Sequence, residues 1–136
     1  MEKPKKVISV EEARSLQDFW CKTRGKAIEE ECGYVDCREF SYSIKELEEY
    51  IAFVKHEAKE KGYKKKSLGL RIYLGTYPPE GDKHDGLSTV FITPTGKKKN
   101  RPGGSGKEGV TDDRDDNIYE IDPLNRGGVG DPPINY

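Results

Sequence analysis

Two histidines and three cysteines are the side chains of this 136-residue sequence best suited to proton transfer, nucleophilic attack or soft-metal binding. His84 is followed by Asp85, and an imidazole beside a carboxylate is what a general base needs. No spacing places a serine or cysteine nucleophile near them, so a small-ligand enzyme using the His84/Asp85 loop ranks as an alternative reading only. Cys21, Cys32 and Cys37 with either histidine would make four zinc ligands. Their spacings, ten and four intervening residues, match no common finger, and there is no C-x-x-C pair. An odd number of cysteines confined to the first 40 residues also argues against a secreted disulfide scaffold. Reduced thiols are the expectation, with Cys21 serving as packing.

Glycines 104, 106 and 109 in GSGKEG match a dinucleotide fingerprint, but that chemistry needs a preceding strand and a following helix so that the pyrophosphate meets helix amides. Neither pattern is present, and a flexible linker is the better reading. Asp113, Asp115 and Asn117 have the spacing of the first three ligands of a calcium loop. The loop's glycine is replaced by Ile118 and its bidentate glutamate by Leu124, which removes the turn and the strongest ligand. No catalytic residue, metal or cofactor is therefore expected.

The elements that would position a site are written more clearly. Ser9 and Glu12 form a capping-box pattern, and Ala13, Leu16, Trp20, Thr23 and Ala27 come after it on one helical stripe. A helix over 10–32 is predicted, with Gly25 as a weak point and Gly33 as its left-handed stop. Residues 37–42 alternate and predict a short strand. Ser43 and Glu46 make a second capping box, and Ile44, Leu47, Ile51, Val54 and Ala58 recur at helical spacing, predicting a helix over 44–61 closed by Gly62. Residues 68–77 alternate, with Leu68, Leu70, Ile72 and Leu74 on one face and Arg71, Tyr73 and Tyr77 on the other. LSTVFITP comes next after a turn-rich connection, so the two runs predict an antiparallel hairpin. The order helix-strand-helix-strand-strand predicts an α+β domain over 9–96, its two helices packed on the aliphatic face of a three-stranded sheet. Residues 1–8 read as a flexible start, and 97–136 as a polar linker and long Pro/Gly-rich tail.

Two features point to binding. The hairpin should bring Lys64, Lys65 and Lys66 to the same pole as Lys97, Lys98 and Lys99, in a body whose first 96 residues balance 17 positive against 17 negative charges. Such a pole suits a phosphate backbone or an acidic protein, whereas lysines at a helix end also simply favour the helix dipole. The ring-bearing sheet face, with Arg71, Tyr73, Tyr77 and Phe91, is of the composition found at interfaces. Ile118, Tyr119 and Tyr136 of the tail suit an extended course across a folded body, their own or a partner's.

At 32% hydrophobic and 36% charged, the chain is too polar to pack along its whole length, and no run reaches the roughly 18 apolar residues of a membrane span. A soluble, cytoplasmic protein without membrane contact is expected. The segments REFSYSIKELEEYI, LGLRIYLGTYP and STVFITPTG resemble a family of short uncharacterised bacterial proteins, over roughly residues 9–96 and the Pro/Gly ending. The resemblance implies no activity, cofactor or site residue. The sequence therefore reads as a small non-catalytic interaction or regulatory protein that binds a protein partner, or itself, through the aromatic sheet face and the tail. Nucleic-acid binding through the lysine pole is the alternative.

Overall fold

The computed structural model describes residues 1–79, 86–99, 116–131 and 133–136. The Ser9 hydroxyl accepts from the Glu12 amide at 3.0 Å and starts α1 (Val10–Trp20). A single π-helical turn, Cys21–Gly25, leads into α2 (Lys26–Cys32), which stops where Gly33 turns left-handed. The weak point at Gly25 is this π turn. Trp20 lies so close that a β-carbon on Gly25 would sit 3.0 Å from the indole. An inserted residue rotates the next helical segment by about 100°, so Ile28 rather than Ala27 turns toward the body. No residue of α1 or α2 is fully buried, and Leu16 and Phe19 are exposed.

The second capping box forms completely. The Glu46 amide donates to Ser43 Oγ at 3.0 Å and the Ser43 amide donates to Glu46 Oε2 at 2.6 Å, opening α3 (Ile44–Glu60). Tyr50, Val54 and Ala58 form its buried stripe.

The hairpin is β2 (Gly69–Thr76) against β3 (Ser88–Gly96), antiparallel, with Ile72 opposite Ile92 and Tyr73 opposite Phe91. The third strand is not 37–42. Of that stretch only β1 (Phe40–Ser41) is extended in a ladder, and it pairs with β5 (Gly128–Val129) in a separate two-stranded sheet. Asp36 explains the difference. Its buried carboxylate accepts from the Cys37 amide at 2.9 Å, the Ser88 amide at 2.8 Å and the Ser88 hydroxyl. The segment is thus tied to the start of β3 by a side chain rather than by strand pairing.

The third position of the main sheet is taken by β4 (Asp116–Asn117), giving the order β2-β3-β4. The described residues of 116–136 therefore pack against the body, in place of the long Pro/Gly-rich tail expected. The Ile118 amide donates to Pro94 O at 2.9 Å, and Ile92 and Leu124 exchange two backbone bonds at 2.8 Å. Ile118 and Ile121 join Tyr50, Val54, Ala58, Tyr63 and Ile92 in the core. Further on, Arg38 Nη1 donates to Asn135 Oδ1 at 2.6 Å and the Tyr136 amide donates to Gln17 Oε1 at 2.9 Å. The glycines here serve close approach rather than flexibility: a β-carbon on Gly127 would meet Ser41 O at 2.8 Å.

Because α3 lies against β3 and the returning chain, it does not reach over β2. The aliphatic face expected under two helices is open along that strand, with Leu70 at 42%, Ile72 at 65% and Leu74 at 83% exposure. Leu68, nearer the end of α3, is half-buried against the core.

Candidate functional site

The main exposed feature is the outer edge of β2. Ile92 uses both backbone groups on Leu124, so Ile72 opposite it is in a non-hydrogen-bonded pair and its N–H and C=O point away from β3. The two-residue alternation gives Leu70 and Leu74 the same outward backbone groups. Among the described residues, no strand lies beside this edge. Three successive outward residues therefore present, among the described residues, backbone groups without a strand partner together with exposed aliphatic side chains. Natural edges are usually blunted by lysine, proline or a bulge. The eight residues of β2 contain none of these, and Arg71 is their only charge.

Beyond Leu74 the edge continues into a groove of about 580 Å³ between α1 and the sheet. Leu16, Trp20, Ile28, Phe40 and Leu74 give it an apolar lining, with Arg24 and Arg38 also on its wall. Arg38 Nη1 donates to Cys21 Sγ at 3.2 Å as well as to Asn135.

On the ring-bearing face the returning chain bonds to the side chains singled out in the sequence. Tyr73 and Phe91 stack at 5.2 Å. Asn117 accepts from Arg71 Nη1 at 2.7 Å and donates to Tyr73 Oη at 2.8 Å, while Asn125 accepts from Tyr77 Oη at 3.1 Å and donates to Val90 O at 2.8 Å. Two asparagines of the returning chain thus hold Arg71, Tyr73 and Tyr77 in place. Ile118 is interior, whereas Tyr119 and Tyr136 are exposed.

Residues 62–64 and 97–99 lie side by side at one end of the hairpin. The Lys64 amide donates to Lys97 O and the Lys99 amide to Gly62 O, both at 2.8 Å, and Tyr63 bridges Lys98. Part of the charge at this lysine pole is neutralised from within. Lys98 pairs with Glu120 at 3.0 Å and sits 5.4 Å from the Tyr63 ring centre, and Tyr63 Oη donates to Glu120 Oε1 at 2.9 Å. Lys66 is exposed beside Lys65 on the turn that precedes β2.

These contacts set the pH response. The Lys98 ammonium, followed by the Tyr63 hydroxyl, holds the Glu120 carboxyl below its ordinary 4.5. Burial, reinforced by the bond to Glu120, pushes Tyr63 up from 10.0 to about 12. Burial, with Asp36 beside it, pushes the Cys37 thiol up from 9.0 to about 12. A lowered carboxylate stabilises fully above its ordinary value and loses this as pH falls through the folded one. A raised phenol or thiol stabilises fully below its ordinary value and loses this as pH rises through the folded one. Thermal melts should therefore show a plateau from about pH 5 to about pH 9 with a decline on either side. Tyr63→Phe should shrink the acid and alkaline limbs together.

Cys21, Cys32 and Cys37 are free thiols; Cys32 is exposed and Cys37 is buried, with Sγ 2.8 Å from Ser88 O. His84, Asp85, glycines 104, 106 and 109, Asp113 and Asp115 lie outside the described residues. Among the described residues no helix is long and apolar enough to cross a membrane. In comparisons with known proteins, no family model, no curated protein and no solved structure matches this chain.

Proposed function

We propose that this protein is a non-catalytic interaction module whose docking surface is the outer edge of β2, and that the chain docked there is a second copy of itself. The observation that carries the reading is the coincidence, at Leu70, Ile72 and Leu74, of outward backbone groups with exposed aliphatic side chains. Strand addition uses these two features together: main-chain bonds give affinity and alternate side chains give register.

Self-complementarity favours a second copy over an unrelated strand. About a two-fold axis at Ile72, Ile72 meets Ile72 and Leu70 meets Leu74 in hydrogen-bonded pairs, and Arg71 falls opposite Tyr73. Within the paired strands no like charges face each other, and a cation meets a ring. The eight-residue strand spans about 26 Å. On this reading the binding surface is the aliphatic edge, and the stacked rings and returning chain are the support behind it.

Sedimentation equilibrium tests this. The full chain should be dimeric, Ile72→Lys monomeric with an unchanged circular dichroism spectrum, and Tyr119→Lys dimeric like the parent. A monomeric parent, or an Ile72→Lys protein that still associates, overturns the proposal.

A further inference from the structure

A second concavity lies at the lysine pole, at the end of the sheet where β2 begins, and its case does not rest on docking at the β2 edge. A cavity of about 390 Å³ is walled by Lys55, His56 and Lys59 of α3, Lys65 of the turn before β2 and Lys99 beyond β3, over a floor of Tyr63 and Leu68. Three separate elements therefore supply cations to one concavity. The neighbouring lysines that have carboxylate partners, Lys61 with Glu57 and Lys98 with Glu120, do not line it. Among the described residues, none of the four lining lysines has a carboxylate within 4.0 Å. In a chain carrying 25 acids, this separation of paired from unpaired lysines leaves the cavity wall positive.

The helix dipole accounts for only part of the arrangement. A lysine in the last turn of α3 favours the carbonyl end, which explains Lys59. It does not explain Lys65 or Lys99, which come from elsewhere in the chain and converge on the same space. The carbonyl end itself adds a partial negative charge nearby, and four ammonium groups outweigh it.

We infer that this cleft binds a compact ligand carrying phosphoryl groups. Ammonium groups on flexible stems act as point charges, and four of them around one small concavity suit a ligand that gathers several negative charges in a small volume, as linked phosphoryl groups do. The small floor of Tyr63 and Leu68 limits the part of the ligand that is seated to something close to a phosphate cluster.

Isothermal titration of the full chain with sodium tripolyphosphate tests the site. Binding should weaken by at least about tenfold as salt rises from about 50 to about 200 mM. Lys59→Gln with Lys99→Gln should weaken it by about tenfold or more at low salt while the melting temperature holds. The remote pair Lys5→Gln and Lys22→Gln should leave it unchanged. A short thymidine oligonucleotide separates the sources. If it binds and tripolyphosphate displaces it, the phosphates recognised include a nucleic-acid backbone; if only tripolyphosphate binds, the ligand is a free phosphate compound. Absence of tripolyphosphate binding at low salt, equal weakening by the remote pair, or an oligonucleotide that tripolyphosphate cannot displace overturns the inference.

Discussion

Ending the chain at Lys99 is expected to abolish cooperative folding rather than to remove a docking arm. The returning segment places Ile118 and Ile121 in the core at 0% and 2% exposure, and its removal also uncovers Ile92. Burying one such side chain stabilises by about 1.5–3 kcal/mol. Three of them, with the backbone bonds to Pro94 and Ile92, amount to a large part of the about 5–15 kcal/mol by which a domain is stable. A thermal melt of the shortened chain should lack a sharp transition, and its amides should exchange freely. Ile118→Ala in the full chain should still melt cooperatively, with a loss of about 2–5 kcal/mol. A shortened chain melting within a few degrees of the parent would show that residues 116–136 only decorate a complete domain. Loss of binding on removing residues 97–136 would accordingly report unfolding before it reported a lost partner site.

Ile72→Lys carries the second large effect, this time on association and not on folding. The side chain is 65% exposed in the monomer, so the substitution removes little from the core. At a two-fold axis each change counts twice: two isoleucines lose burial worth about 1.5–3 kcal/mol each, and two ammonium groups are brought together. With 1.4 kcal/mol to each factor of ten, the dimer dissociation constant should rise by at least about a hundredfold. A lysine at this position is also how natural sheet edges are kept apart. A parent and variant with equal dissociation constants would remove β2 from the interface.

The helices and the hairpin were legible in the sequence because their signals are local. Ser43 with Glu46, and the recurrence of Tyr50, Val54 and Ala58, specify α3 without reference to anything distant. The alternation of Leu70, Ile72 and Leu74 with Arg71 and Tyr73 is equally local, and it correctly separates the two faces. What alternation does not contain is which face is covered. That depends on where α3 crosses the sheet, and the crossing is fixed by β4 and Leu124 claiming the far edge of β3, contacts made across long sequence separations. The same separation hid the body's closing segment. Proline and glycine between 123 and 133 lower the local apolar density, yet Gly127 is there because Ser41 and Tyr42 approach it closely. Asp36 was missed for another reason: a single aspartate ahead of a short alternating run gives no sign that its carboxylate will bind the start of β3. Of the candidate binding residues, Arg71, Tyr73 and Tyr77 do share a face, but Asn117 and Asn125 hold them; Leu74, which the aliphatic pattern assigned to the interior, is the most exposed residue of the edge. The signal that could have found it is the absence from β2 of any lysine, proline or bulge, an omission an edge strand seldom survives unless it is paired.

The most direct measurement is residue-resolved amide exchange along β2 as protein concentration is raised. Arg71 and Tyr73 face β3 and should be protected at every concentration, whereas Leu70, Ile72 and Leu74 should exchange fast when dilute and slow together as dimers form. Fast exchange at these three amides at all concentrations, while Arg71 and Tyr73 stay protected, would contradict docking at this edge.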